Sequence, residues 1–146
     1  MTGQVYLDFN ATAPAKPEVV EAVAAAMAAG GNASSVHGPG RAARNTVEGA
    51  RRHVADLVAA SPESVVFTAS GTEANNQALR CSGRDRVVVS SIEHESVLQA
   101  VADPVVAPVD GDGVIKLDAL ADLLGASQRP ALVSVMLANN ETGVIQ

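Results

Sequence analysis

A short apolar run at residues 65–67, VVF, is followed by the turn residues SGT at 70–72 and then by a helix-forming run. β-Branched and aromatic residues between turn signals predict a buried strand. Gly71 can adopt a positive φ, and Ser70 or Thr72 can cap the helix that begins there. This unit constrains the fold more than any other stretch, because a buried strand has to lie in a sheet that other elements cover.

The turn at 70–72 is also a candidate anion-binding site. The first N–H groups of a helix have no partner within the helix, and the helix dipole adds partial positive charge there. A phosphate is the most natural ligand for such a turn. Ser-Gly-Thr before a helix is also ordinary capping, so the turn by itself leaves both interpretations open.

The remaining chain alternates predicted helices and strands. Helical periodicity and turn residues place helices at 18–29 with Pro17 at the start, 41–58, 96–101 and 117–124, and a further helix that begins at Gly71 and has Cys81 near its end. Strands are predicted at 86–90, 105–109 and 131–136. Residues 6–7 could form at most a short strand. Such alternation predicts an α/β fold with a mostly parallel sheet flanked by helices.

Polar residues follow two of these strands, at the edge where open parallel sheets place their ligands. His94 lies in the run 91–95 after the first, and Asn139 and Asn140 follow the other. His94 is therefore a candidate for chemistry, with an exposed helix-start residue as the alternative. His37, in the glycine-rich loop 30–40, either lies beside an active site or bonds the backbone and holds the loop.

Composition argues against several classes of function. A formal charge of −6 without a basic run disfavours nucleic-acid binding. No apolar run approaches the roughly 20 residues of a membrane span, and the N-terminus lacks a signal-peptide pattern, so we expect a cytoplasmic protein without a membrane partner. The single cysteine, Cys81, cannot form an internal disulfide. The run DGDG at 110–113 resembles the start of a calcium loop but lacks the further spaced acidic ligands, so it predicts a turn rather than a metal site.

The motifs FTASGTEANN, SIEHESVL and VSVMLANNETGVIQ, in this order, resemble the pyridoxal-phosphate (PLP) enzymes of aminotransferase class V. The resemblance is to the NifS-like cysteine desulfurases in particular. It extends over essentially the whole chain, including residues 6–12 and 32–37. It implies that 15–146 form the N-terminal part of the large domain of a fold-type-I PLP-dependent transferase, and that 1–14 belong to the small domain. It also implies a homodimer.

The resemblance assigns roles to individual residues. Gly71 and Thr72 match residues that hold the PLP phosphate, and His94 matches the catalytic histidine that stacks on the PLP ring. Asn140 matches the residue whose amide donates to the ring hydroxyl oxygen, whereas Asn139 is expected to fix the turn. As a cysteine desulfurase, the enzyme would convert L-cysteine to L-alanine and pass the sulfur to an enzyme cysteine as persulfide. A sulfur-acceptor protein and iron-sulfur cluster assembly are the corresponding partner and pathway.

The family's Schiff-base lysine, its aspartate facing the pyridine nitrogen and its nucleophilic cysteine would all lie downstream of Gln146. Neither Lys16 nor Lys116 has the setting of that lysine. Cys81 lies near a helix C-terminus, where the dipole opposes a thiolate, so we interpret it as structural. The chain alone is therefore expected to be inactive and to need its missing C-terminal half. The alternatives are another class V reaction, such as a selenocysteine lyase, a kynureninase-like hydrolase or an aminotransferase, and a non-catalytic phosphate-binding domain.

Overall fold

The computed structural model describes residues 5–146, which form two compact units. The first unit ends at Phe67, and the second extends from Thr68 to Gln146. The predicted small-domain segment 1–14 lies partly outside the described residues, and the domain boundary after residue 14 stays a prediction.

The first unit contains two helices and one short 3-10 turn. Helix α1 spans Pro17–Ala29, helix α2 spans Gly38–Leu57, and the 3-10 turn spans Pro62–Ser64. Pro17 begins α1 as predicted, because its fixed φ suits a first helical position. No residue of α1 is buried within the described chain. None of the helices in residues 5–146 has both the length and the apolar character that a bilayer span requires.

Helix α2 begins at Gly38, three residues before the predicted start at residue 41, because His37 caps it. The Nδ1 atom of His37 accepts a hydrogen bond from the Gly40 backbone N–H at 3.4 Å. Gly40 is buried, and a Cβ added there would lie 2.3 Å from the Ser35 carbonyl oxygen. The structure therefore agrees with the interpretation of His37 as a residue that bonds the backbone and holds its loop.

The strand predicted at 65–67 does not form, which corrects the sequence analysis. Val65 is extended, but Val66 is 65% exposed and Phe67 48% exposed. A strand needs a hydrogen-bonded partner, and no segment of residues 5–146 pairs with this one. Helix α2 holds it instead, because the Arg51 guanidinium donates to the Val65 carbonyl and lies 5.0 Å from the Phe67 ring centre.

Residues 6–7 do not form a strand either. The Tyr6 hydroxyl donates to the backbone carbonyl of Asp8 at 2.7 Å, and its ring meets that of Phe9 edge to face at 5.6 Å. These contacts are local, so they support a turn rather than an extended pairing.

The second unit alternates helices and strands. Its elements are α3 (Gly71–Arg80), β1 (Arg86–Ser90), α4 (Glu95–Leu98), β2 (Val105–Ala107), α5 (Leu117–Gly125) and β3 (Ala131–Ser134). The bounds of β1 agree with the prediction, whereas α4, β2 and β3 end two or three residues earlier than predicted.

The three strands form one parallel sheet in the order β2-β1-β3. The central strand β1 is the most buried, since Val88 and Val89 are 1% and 0% exposed. The core lies on one side of this strand and consists of Leu79, Val87, Val89, Val97 and Ala100. The predicted α/β fold with a parallel sheet and flanking helices is thereby confirmed.

Candidate functional site

The N-terminus of α3 is closed by a capping box. The Ser70 hydroxyl accepts from the Glu73 N–H at 3.2 Å, and the Glu73 carboxylate accepts from the Ala69 N–H at 2.7 Å. Of the two predicted capping candidates, Ser70 is the cap and Thr72 is not. Thr72 is therefore not needed to start the helix.

The first two backbone N–H groups of α3 are available to a ligand. Within residues 5–146, no hydrogen-bond partner is found for the backbone N–H of Gly71 or of Thr72. Both residues are exposed, and a Cβ added at Gly71 would meet nothing within 4 Å. Two adjacent donors at the positive end of a ten-residue helix suit an anion.

A buried carboxylate joins the ends of β1 and β3. Glu93 is 8% exposed, and its Oε1 atom accepts from the Ser90 hydroxyl at 2.8 Å and from the Met136 N–H at 2.6 Å. Glu93 was not among the site residues predicted from the sequence. The signal available was a glutamate three positions after a strand that ends in a serine.

A buried amide after β3 bonds back to the turn after β1. Asn139 is 9% exposed, and its Nδ2 atom donates to the Ile92 carbonyl at 3.1 Å. Its Oδ1 atom accepts from the backbone N–H groups of Glu141 and Thr142, both at 2.9 Å. These bonds agree with the interpretation that Asn139 fixes the turn. The next residue of that turn, Asn140, is exposed.

His94 directly follows Ile92 and Glu93, which make these two connections, and it caps helix α4. Its Nδ1 atom is 3.0 Å from the Ser96 backbone nitrogen and 2.8 Å from the Ser96 hydroxyl. The predicted helix-start role is thus present in the structure. His94 is nevertheless exposed, so its ring also remains accessible to a ligand.

Two clefts meet at His94. One of about 330 Å³ is lined by Thr72, Asn76, His94, Glu95, Ser96 and Gln99. The other, of about 460 Å³, has His94, Asn139 and Asn140 among its lining residues. The structure therefore brings Thr72, His94 and Asn140 to one edge of the second unit, and Gly71 adjoins Thr72.

Other candidates do not join this edge. Cys81 is exposed at the C-cap of α3, at the opposite end of the helix from Gly71. Asp110 belongs to a turn, because its Oδ1 atom accepts from the N–H groups of Asp112 and Val114 at 2.9 and 3.0 Å. Lys116 precedes α5 at its N-cap, where it is exposed.

The model of the aminotransferase class-V family matches residues 5–146. The chain belongs to this family. Its relatives include an IscS-like cysteine desulfurase of Mycobacterium tuberculosis, which is 41% identical over 96% of this chain and 40% of its own length. Human selenocysteine lyase is 33% identical over 97% of this chain and 39% of its own.

Solved structures of similar proteins share this fold. The X-ray structure of a NifS-like protein from Rickettsia africae superposes with a TM-score of 0.88 at 35% identity, covering 99% of this chain and 42% of the other. The chain thus spans about two fifths of the length of the relatives it matches.

Proposed function

We propose that this chain is the N-terminal part of a PLP-dependent cysteine desulfurase. The enzyme would convert L-cysteine to L-alanine and transfer the sulfur to an enzyme cysteine as persulfide. The observation that carries the proposal is the meeting of Thr72, His94 and Asn140 along two clefts that share His94. The relatives named cysteine desulfurase supply the reaction.

The residues at this edge suit the chemical groups of PLP. The open N–H groups of Gly71 and Thr72 match a phosphate, and the absence of a side chain at Gly71 leaves space for it to approach. The exposed His94 imidazole can contact a pyridine ring face to face. The Asn140 amide can donate a hydrogen bond to the oxygen of a ring hydroxyl.

When bound, PLP supplies an electron sink for the amino-acid substrate. The chain's own residues would hold and orient it. Gly71 and Thr72 would anchor the phosphate, while His94 and Asn140 would set the plane of the ring. Glu93 supports this arrangement, because its bonds to Ser90 and Met136 hold the turn before His94 against the end of β3.

The rest of the enzyme would complete the reaction. A covalent lysine has to be desolvated or placed near other cations, whereas Lys16 and Lys116 are exposed at helix N-caps. We propose that a further segment supplies the lysine and the reactive thiol, and that the isolated chain is inactive. The parent enzyme would be a cytoplasmic homodimer that passes sulfur to an acceptor protein in iron-sulfur cluster assembly.

Selenocysteine lyase is the second candidate function, because relatives with that name match 97% of the chain. The two substrates differ in one atom, sulfur or selenium. The residues at the proposed edge would contact the cofactor rather than that atom, so they favour neither reaction.

The experiment compares the full-length product of the gene that contains this chain with the 146-residue chain alone. Each is incubated with PLP and with L-cysteine or L-selenocysteine, and alanine and sulfide or selenide are measured. We expect the full-length protein to turn over L-cysteine and the 146-residue chain not to do so. If the full-length protein turns over L-selenocysteine but not L-cysteine, the result would favour the lyase.

A labelling experiment tests the inactivity of the isolated chain. The chain is mixed with PLP, reduced with borohydride, digested and analysed by mass spectrometry. Stoichiometric labelling of Lys16 or Lys116 together with sulfur release would contradict the proposal. Weak or no labelling and no sulfur release are expected.

A further inference from the structure

A hydrogen-bond chain connects helix α3 to the ring of His94. The Asn75 Nδ2 atom lies 2.8 Å from the Ser96 hydroxyl oxygen, and that oxygen lies 2.8 Å from His94 Nδ1. Ser96 is 8% exposed and Asn75 is half-buried, so both partners are held in place by packing. The start of α3 is capped separately, by Ser70 and Glu73.

The directions of these bonds follow from the Ser96 backbone. Its N–H lies 3.0 Å from His94 Nδ1, and a backbone N–H can only donate. Nδ1 must therefore be the unprotonated nitrogen of a neutral imidazole, with the ring proton on Nε2. The Ser96 hydroxyl then donates to the same Nδ1, and its oxygen accepts the hydrogen bond that the Asn75 amide donates.

We propose that Asn75 and Ser96 are positioning residues that hold His94 in the tautomer with the proton on Nε2. Because Nδ1 is occupied by Ser96, Nε2 is the nitrogen left for a ligand in the clefts that His94 lines. Within residues 5–146, no hydrogen bond to Nε2 is found. The neutral ring would present a hydrogen-bond donor to cofactor or substrate. This consequence rests on the proposed function, whereas the tautomer itself does not.

Long-range proton–nitrogen NMR on the uniformly ¹⁵N-labelled chain measures the tautomer directly. Spectra are recorded well above the ordinary imidazole pKa of about 6.5, where histidine rings are neutral. The expected pattern for His94 is a protonated Nε2 and an unprotonated, hydrogen-bonded Nδ1. The exposed His53 serves as the internal reference for a ring without this network. Protonation at Nδ1 of His94 would overturn the proposal.

Variants separate positioning from simple structural support. The Ser96 backbone N–H remains in Asn75→Ala and Ser96→Ala, so each variant should weaken the hold on Nδ1 rather than abolish it. We expect a minor population with the proton on Nδ1, or a shifted Nδ1 resonance, in each, and Ser96→Thr should restore the parental pattern. Asn76→Ala is the matched control, because Asn76 donates to the Thr72 carbonyl rather than to Ser96. A parental pattern in both Asn75→Ala and Ser96→Ala would overturn the proposal.

If Ser96→Ala fails to fold, Asn75→Ala and the parental spectrum still decide the question. The measurement needs neither PLP nor an amino-acid substrate. A parental His94 tautomer together with a full-length protein that does not turn over L-cysteine would therefore contradict the proposed function alone. Turnover with a mixed tautomer would contradict the positioning role alone.

Discussion

The Glu93 carboxylate accepts a hydrogen bond from the backbone N–H of Met136 at 2.6 Å, across 43 residues of sequence. This bond joins the turn after β1 to the segment that follows β3. Because His94 is next to Glu93, and Asn140 follows Met136 by four residues, the bond also sets the spacing of two candidate site residues.

Replacement of Glu93 by alanine should lower the free energy of unfolding by about 1.5–3 kcal/mol, since a buried N–H would lose a charged acceptor. Glu95→Ala is the control, because Glu95 is exposed and should cost about 0.5 kcal/mol or less. Urea denaturation of both variants checks the difference. Equal stability of the Glu93→Ala and Glu95→Ala variants would show that the bond to Met136 contributes nothing.

The Asn139 side chain should matter more for stability than that of its neighbour Asn140. Asn139→Ala removes the acceptor of two backbone N–H groups and a donor to the Ile92 carbonyl, so we expect a loss of about 1–3 kcal/mol. Asn140→Ala alters an exposed side chain and should cost less. Denaturation midpoints measured in parallel test this order, and a larger loss for Asn140→Ala would reverse it.

Gly40→Ala should destabilise the first unit by roughly 1–3 kcal/mol, because the new Cβ would overlap the Ser35 carbonyl oxygen at 2.3 Å. Gly49→Ala in the same helix is the matched control. A Cβ there would meet only the Arg52 guanidinium at 3.9 Å, so this change should stabilise the helix by about 0.5–1 kcal/mol. The melting temperature, followed by circular dichroism, should fall for Gly40→Ala and rise for Gly49→Ala.

Thr72→Ala should weaken PLP binding by the full-length protein roughly tenfold to a hundredfold, as expected for loss of one hydrogen bond to a charged phosphate. Thr72→Ser should retain most of the affinity. Thr46→Ala is the control, since the hydroxyl of Thr46 bonds the Ala42 carbonyl within α2. Titration by PLP absorbance measures all three, and an unchanged affinity in Thr72→Ala would argue against the phosphate assignment.

Hydrogen bonds from the backbone N–H groups of Val114 and Asp112 lower the pKa of Asp110. A lowered folded-state pKa means that the carboxylate stabilises the turn above its ordinary pKa of about 3.9, and that this stabilisation disappears as the pH falls through the folded value. The melting temperature of Asp110→Ala should therefore lie below that of the parent at neutral pH. The difference should shrink in strong acid.

Asp112→Ala is the comparison for this pH effect. The Asp112 carboxylate makes no hydrogen bond within the described chain, although its backbone N–H bonds Asp110. Its melting temperature at neutral pH should lie close to that of the parent. A pH-independent difference between Asp110→Ala and the parent would contradict the assignment.

Local features could be predicted because their interacting groups lie close together in the sequence. Pro17 starts α1, the Asp110 turn closes over two to four residues, and β1 spans the predicted residues 86–90 around its apolar run. The motifs also predicted that residues at the carboxyl ends of the strands would form a site. The structure brings Thr72, His94 and Asn140 to that edge, while their roles toward PLP stay predictions.

The sequence by itself thus determined the alternation of elements, the parallel α/β class and the family. Tertiary structure decided which apolar run became a strand and which polar residues bond across the site. The run at 65–67 has strand composition but no partner within the described chain, and Glu93 and Asn75 find their partners 43 and 21 residues away. A ladder or a buried hydrogen bond requires both partners, and local composition specifies only one of them.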